Sequence, residues 1–281
     1  MRVTELLARG QTTSFEFFPP KTDEEAAALA VTLDELADLK PSFVSVTYRG
    51  GASSRERTFE LVRRLHDEGH VEPMAHLTCV HHTRAELVEI LAAYRDAGIE
   101  NLMLLGGDAD PARGAVGELR HAIELVALAK EVGEFCVGVA AQPAGHPQSP
   151  DLASDRRHLA NKLEVADFAV TQLFFEVDEW RRLIDELAAL GSDKPVLPGI
   201  MPVTAFGSVG RMRQLGGVVP AWLVDRLEAA AADGPAAVRA AGIDAATELC
   251  AALLEAGAPG LHFYTLNRST ATREISARLS G

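Results

Sequence analysis

Short apolar runs rich in β-forming residues alternate along the whole chain with longer amphipathic stretches. Eight runs are predicted strands: Phe15–Phe18, Phe43–Thr47, Met74–Cys79, Asn101–Leu105, Phe135–Ala141, Phe168–Phe175, Val196–Ile200 and Leu261–Leu266. The stretches between them predict helices, because their apolar residues recur at three- and four-residue spacing. Such alternation is typical of parallel strands joined by helical crossovers. Eight units within 281 residues predict an α/β protein with a (β/α)8 TIM barrel.

The rival fold is an open, doubly wound sheet. That fold favours a glycine-rich G-x-G-x-x-G turn in its first crossover, which this chain lacks. The stretch 204–233 before the last strand predicts two short helices, separated at Val219-Pro220. No change in composition marks a domain boundary, so we expect one barrel domain over residues 1–281.

The composition excludes several classes of partner. A net charge of −13 argues against nucleic acid or an anionic membrane as the main partner. No apolar run is long enough to span a membrane and no signal peptide is visible, so a cytoplasmic location is expected. The three cysteines are far apart, and the pair His81-His82 has no further ligands at useful spacing; we expect no disulfide and no metal site.

Polar and aromatic side chains follow almost every predicted strand. In a barrel, the residues that carry chemistry lie at the carboxyl ends of the strands. The side chains expected at this rim are Glu16, Thr47, Tyr48, His76, Thr78, Asp108, Gln142, His146, Gln172, Phe206, Tyr264 and Asn267. Their convergence on one rim predicts an active site for small molecules.

Glu16 is the most unusual of these residues, since aromatic residues surround it in Phe15-Glu16-Phe17-Phe18. An apolar environment raises the pKa of a carboxyl group, and such a group can donate a proton near neutral pH. The alternative is a structural carboxylate that turns toward solvent or pairs with a cation.

Seven segments, in order over nearly the whole chain, resemble the methylenetetrahydrofolate reductase family. They are Phe15–Pro20, Ser45–Tyr48, His76–Cys79, Gly107-Asp108, Thr171–Phe175, Pro198–Val203 and Phe263–Arg268. The resemblance implies a (β/α)8 barrel that reduces 5,10-methylenetetrahydrofolate to 5-methyltetrahydrofolate. It also implies FAD as the usual relay of hydride from NAD(P)H.

The resemblance implies a role for several residues of this chain. Glu16 matches the general acid that protonates N10 and opens the ring. Asp108 matches a catalytic carboxylate that binds the pterin and stabilises a developing cation. Further substrate contacts are implied for Gln172, Phe206, Tyr264 and Arg268. The plainer interpretations are an Asx turn for Asp108, core packing for Gln172 and Phe206, and a solvated side chain for Arg268.

The flavin contacts of the family are only partly retained. The matching positions are Thr47, Tyr48, His76, Gly107, Asp108, His146, Asp155 and Lys162. Gly106 and Asn161 replace two arginines of the family, Gln142 replaces a tyrosine, and His158 replaces an asparagine. Two guanidinium groups that could bind the diphosphate of FAD are therefore missing. Each charge-assisted hydrogen bond lost in this way would weaken binding by about 1.5–3 kcal/mol.

We therefore expect little or no bound FAD and direct hydride transfer from NADH, with nicotinamide between Gln172, Phe206 and the pterin. Gln142 would line the same cofactor site, and Arg49 could supply a replacement phosphate contact. Arg49 could equally hold FAD, so the flavin relay stays open. A non-catalytic folate-binding paralogue, a partner subunit and a flavin barrel for another substrate are also compatible with the sequence. The oligomeric state is open, and the chain could be a monomer.

Overall fold

The computed structural model describes residues 1–48, 52–107, 117–214 and 218–280, without the side chains of 52–54, 211 and 214. All strand pairs in this part of the chain are parallel. The strands are β1 (Thr12–Phe17), β2 (Phe43–Val46), β3 (Glu72–Thr78), β4 (Asn101–Leu105), β5 (Cys136–Ala141), β6 (Phe168–Thr171), β7 (Val196–Leu197), β8 (Gly199–Ile200) and β9 (Gly260–Tyr264). The predicted TIM barrel is confirmed.

Helices alternate with these strands, and most of them cover the outside of the barrel. They are α1 (Val3–Arg9), α2 (Asp23–Ala37), α3 (Ala52–Glu68), α4 (Arg84–Asp96), α5 (Ala122–Val132), α6 (Leu152–Val165), α7 (Val177–Ala189), α8 (Ser208–Gln214), α9 (Ala221–Ala231), α10 (Pro235–Glu255) and α11 (Thr270–Leu279). Local sequence fixes several starts: Thr83 and Glu86 form a capping box at α4, and Asp151 caps α6 through the N–H of Ser154. Within the described residues, no helix combines the length and apolar character needed to cross a membrane.

The barrel closes at a seventh strand that is interrupted at Pro198. The first piece, β7, pairs with β6, and the second piece, β8, pairs with β9. Side chains reinforce this seam: Thr171 Oγ1 accepts from the Gly199 N–H at 2.9 Å, and the Tyr264 hydroxyl donates to Thr171 O at 2.5 Å. A Cβ at Gly199 would lie 2.3 Å from Thr171 O, so glycine is required for this close approach.

The barrel interior is apolar at its amino-terminal end and polar at its carboxyl end. Phe43, Met74, Met103 and Phe168 belong to an apolar cluster inside the strands, and Val3 of α1 packs against it. Two residues further along β2 and β3, the inward positions are polar, at Ser45 and His76. The hydrophobic layer therefore forms a floor beneath a polar rim, which is the expected place for chemistry.

The structure corrects several predicted boundaries. The sixth strand ends at Thr171 rather than Phe175, because Leu173 and Phe175 turn away to pack against α8, α9 and α10. The predicted strand 196–200 is split by Pro198, which cannot donate a ladder hydrogen bond. Two helices outside the predicted alternation are also present, α1 before the first strand and α11 after the last. The two short helices within 204–233 are confirmed.

Candidate functional site

Glu16 lies at the polar rim with three polar side chains around its carboxylate. Its Oε2 lies 3.5 Å from His76 Nε2, 3.6 Å from His262 Nε2 and 3.5 Å from Ser45 Oγ. The Glu16 side chain is 15% exposed, whereas the two imidazoles are 8% and 1% exposed. The carboxylate is therefore the part of this group that a ligand above the rim can reach.

Parallel register brings these side chains together. Glu16 pairs with Ser45 on β2 and with Tyr264 on β9, and Ser14 pairs with His262. Side chains two residues apart on a strand share one face, so Ser14 and Glu16 both point into the barrel. The Ser14 hydroxyl lies 2.8 Å from His262 Nδ1, which orients the ring with Nε2 toward Glu16.

The pKa of Glu16 differs from the sequence-based expectation. Burial alone raises it, but the polar contact with His262 at 3.6 Å, the charges of His76 and His262, and a hydrogen bond from Ser45 together hold the pKa of Glu16 below its ordinary value. The expectation of a raised pKa was wrong because the aromatic neighbours in sequence point to the outer face, and the inner face is polar. In this structure the carboxylate is the favoured form at neutral pH.

His76 gives the fold a pH dependence that can be measured. Burial, partly opposed by Glu16, lowers the pKa of His76 from its ordinary value of 6.5. As the pH falls, His76 is therefore protonated in the unfolded chain at a higher pH than in the folded chain. The unfolding free energy should consequently fall as the pH drops below about 6.5. Thermal denaturation at a series of pH values should show a smaller loss of stability for His76→Asn. His146→Asn, at an exposed imidazole, is the control and should follow the wild type; a wild-type slope in His76→Asn would contradict this assignment.

The loop after β1 is fixed by residues that follow β9. Thr265 Oγ1 donates to Glu16 O at 2.6 Å, so the backbone on the carboxyl side of Glu16 is held. Asn267 accepts from Phe18 N at 2.8 Å and donates to Phe18 O at 3.0 Å. Asn267 adopts a φ of 57°, a conformation that asparagine tolerates better than most residues. These hydrogen bonds connect the loop after β1 to the loop after β9, so the two segments lie together at the rim.

On the opposite side of the rim, Arg156 holds the loop between β5 and α6. Its guanidinium, 3% exposed, donates to Asp155 Oδ2 at 3.0 Å and to Glu186 Oε2 at 2.6 Å. It also donates to the carbonyl oxygens of Gln142 and Pro143, at 2.8 and 2.6 Å. This loop is therefore attached to α6 and α7 by a buried charge network.

Two residues at flavin-contact positions of the resemblance are already engaged within the protein. Asp155 Oδ1 accepts from the His146 N–H at 3.1 Å and from Ser149 Oγ at 3.2 Å, in addition to the Arg156 bond on Oδ2. Lys162 Nζ donates to Ala140 O at 2.8 Å, and burial lowers the pKa of Lys162. The polar atoms of both side chains are therefore hydrogen-bonded within the protein.

The other predicted site residues lie at the rim in varied environments. Gln172 is half-buried, with its Oε1 accepting from Leu173 N at 2.9 Å, and Phe206 is 40% exposed. Arg268 is exposed. The Tyr48 hydroxyl lies 2.5 Å from Nε2 of His82, and both residues are buried.

Gly107 has a φ of 81° and packs against β3, since a Cβ there would lie 2.4 Å from Val80 Cγ2 and 3.0 Å from Thr78 Cβ. The chain therefore leaves β4 in contact with Thr78. Asp108, which follows, and Arg49 lie outside the described residues. In the part of the chain that is described, no group of three or more His, Cys, Asp or Glu residues could hold a metal ion.

Comparison with known proteins matches the whole barrel to one family. The family model described as methylenetetrahydrofolate reductase matches residues 2–280. The chain belongs to the methylenetetrahydrofolate reductase family. The 5,10-methylenetetrahydrofolate reductases of Pectobacterium carotovorum and Escherichia coli are each 36% identical to it over 258 residues, covering 91% of this chain and 86% of each relative.

A solved structure shares the fold of this reductase-family chain. It is an uncharacterized protein from Clostridium thermocellum that binds two copies of 5-methyl-5,6,7,8-tetrahydrofolic acid. The TM-score is 0.72, and the alignment covers 99% of this chain and 97% of that one. The sequence identity is 12%, so this likeness supports the fold alone.

Sequence reasoning did not select four residues that shape the site: Ser14, Ser45, His262 and Arg156. The first three could have been found from the period-two alternation of side chains, because Ser14 and Glu16 lie on one face and His262 and Tyr264 on another strand's inner face. Arg156 gave no such signal, since an arginine on a helix is usually solvated.

Proposed function

We propose that residues 1–281 form a single catalytic domain that reduces 5,10-methylenetetrahydrofolate with NADH. Methylenetetrahydrofolate, NADH and one proton give 5-methyltetrahydrofolate and NAD⁺. Protonation of N10 breaks the bond from N10 to the methylene carbon and leaves an iminium at N5. Hydride from C4 of the nicotinamide then adds to that carbon, and the electrons lost by NADH reduce it to a methyl group.

The observation that carries this proposal is the Glu16 group on a barrel of the reductase family. Glu16 is proposed to donate the proton to N10, and the resulting anion is stabilised by His76, His262 and Ser45. A pterin placed over the carboxylate would remove its remaining contact with water. Because desolvation disfavours the anion, substrate binding would raise the pKa of Glu16 and load it with a proton.

The substrate contacts proposed here follow the family motifs. Asp108 and Gln172 bind the pterin, Phe206 stacks on substrate or nicotinamide, and Tyr264 and Arg268 complete the substrate side. Gln172 and Phe206 are both accessible at the rim, which supports their place in this set. The roles of Asp108 and Arg49 are proposed from the sequence alone.

We infer that hydride passes directly from NADH rather than through FAD. Asp155 and Lys162 use their polar atoms within the protein, and this supports the inference already drawn from the replaced residues at Gly106, Gln142, His158 and Asn161. A flavin would have to compete with these buried hydrogen bonds. No step of the proposed reaction therefore uses a flavin.

The test is the visible spectrum of freshly purified protein, followed by NADH oxidation with and without methylenetetrahydrofolate and with no added flavin. We expect a colourless protein that oxidises NADH only when the folate is present. A yellow protein whose colour is bleached by NADH and restored by the folate would instead establish the flavin relay. Folate binding without NADH oxidation, whether the protein is colourless or yellow, would favour a non-catalytic folate-binding protein.

A further inference from the structure

Three buried polar atoms without partners lie at one corner of the rim. Thr47, His76 and Thr78 are 8%, 6% and 5% exposed. Among the residues that the structure describes, Thr47 Oγ1, Thr78 Oγ1 and His76 Nε2 have no hydrogen-bond partner. His76 Nε2 lies 3.5 Å from Glu16 Oε2 without forming a hydrogen bond to it.

Strand register places these residues side by side. Ser45 and Val46 pair with Met74 and Ala75, so the next residue of the chain, Thr47, comes beside His76. The Thr47 N–H donates to Phe17 O at 2.9 Å, which continues the parallel ladder beyond the end of β2. His76 and Thr78 are two residues apart on β3 and therefore face the same interior.

Leaving these atoms unpaired is unfavourable. A buried donor or acceptor without a partner costs about 1–3 kcal/mol, and folded proteins keep few of them. Two hydroxyls and an imidazole nitrogen on adjacent strands, next to the carboxylate of Glu16, indicate a position where a polar ligand completes the hydrogen bonds.

We propose that Thr47 Oγ1, Thr78 Oγ1 and His76 Nε2 bind the carboxamide group of the nicotinamide ring of NADH. This inference rests on the proposed function. A carboxamide presents one accepting oxygen and two N–H donors. A hydroxyl can donate to that oxygen or accept from one of the N–H groups. His76 Nε2 adds a third polar atom that can bond the same carboxamide.

Barrel geometry favours nicotinamide over the pterin at this corner. The strand order β7-β6-β5-β4-β3-β2-β1-β9-β8 puts β2 and β3 across the barrel from β6, whose end carries Gln172, the residue proposed to bind the pterin and expected to border the nicotinamide ring. The carboxamide is attached to the ring carbon next to C4, the hydride donor. Anchoring it at β2 and β3 directs C4 toward the centre of the rim, beside the group that Glu16 protonates.

The test uses Thr47→Val and Thr78→Val, which retain side-chain volume and remove one unpaired hydroxyl each. We expect each to raise the KM for NADH and the Kd of NADH alone about 3- to 10-fold, with the KM for methylenetetrahydrofolate unchanged. Thermal stability should stay equal or rise, because an unpaired buried hydroxyl is removed. Thr12→Val is the matched control: its hydroxyl is also buried and unpaired among the described residues, but it lies at the opposite end of β1.

The reduced 3-acetylpyridine analogue of NADH separates the ligand groups, because a methyl group replaces the amide nitrogen. Wild-type protein should favour NADH over this analogue, and the preference should shrink in at least one of the two rim variants. An unchanged KM and Kd for NADH in both variants would overturn the proposal, as would a rise confined to the folate KM, which would assign the corner to the pterin.

Failure of the proposed function gives a different result. If wild-type protein does not bind or oxidise NADH without flavin, direct hydride transfer is wrong, and the rim variants should then alter the Kd of FAD. If wild-type protein oxidises NADH with the folate and the variants bind NADH normally, only the assignment of the carboxamide is wrong.

Discussion

Replacing Glu16 with Gln should reduce kcat for methylenetetrahydrofolate reduction by about 10²- to 10⁴-fold, the usual contribution of a positioned general acid. The amide retains the size and polarity of the side chain but cannot deliver the proton to N10. Because protonation matters mainly in the transition state, the Kd of the folate should change by less than about 3-fold. Steady-state kinetics and equilibrium binding of the folate measure the two quantities separately.

Asp167→Asn provides a matched control for this change. Asp167 is a partly buried carboxylate that accepts from Lys130 Nζ and Val137 N, at 2.8 and 2.7 Å, just before the start of β6. Its replacement by an amide should reduce stability and leave kcat near the wild-type value, since it lies at the amino-terminal end of the barrel. If Glu16→Gln keeps more than about a tenth of the wild-type kcat, Glu16 is not the general acid.

Replacing Arg156 with Met should lower the unfolding free energy by about 3–5 kcal/mol, the range found when one partner of a buried ion pair is removed. Methionine fills the space of the side-chain stem but leaves the carboxylates of Asp155 and Glu186 without their shared cation. The carbonyl oxygens of Gln142 and Pro143 also lose a donor. Urea denaturation, followed by circular dichroism, measures the change.

The neighbouring Arg157 is the control for this prediction. It is exposed and donates to Ser154 Oγ at 2.8 Å. Arg157→Met should therefore alter the unfolding free energy by less than about 0.5 kcal/mol. Equal stability of the two variants would mean that the Arg156 network does not hold the loop between β5 and α6.

The barrel could be predicted because its signal is spread over the whole chain. Strand–helix alternation requires parallel pairing, and parallel register then brings Glu16, His76 and Tyr264 to one rim. Boundaries were less accurate where tertiary packing decides the path. The segment from Gln172 to Phe175 is apolar enough to continue a strand, yet it leaves the sheet to cover the helices after β8.

The electrostatic environment of the site could not be predicted from neighbours in sequence. Phe15 and Phe17 flank Glu16 along the chain, but alternation places them on the other face of β1, and the residues that face Glu16 come from β2, β3 and β9. The lowered pKa of Glu16 therefore depends on contacts between distant segments. The network of Arg156 is of the same kind, since Glu186 is 30 residues away.

The interrupted seventh strand makes the hydrogen bonding between strands uneven around the barrel. Elsewhere the strands are joined by continuous ladders, but at Pro198 the wall consists of two short pieces, and Thr171 and Tyr264 carry part of the connection through side-chain bonds. The strand register is shorter at this seam than between the other described strands, so we expect the wall to deform at lower cost there. Gln172 directly follows Thr171, so a ligand bound to Gln172 would act on this part of the wall.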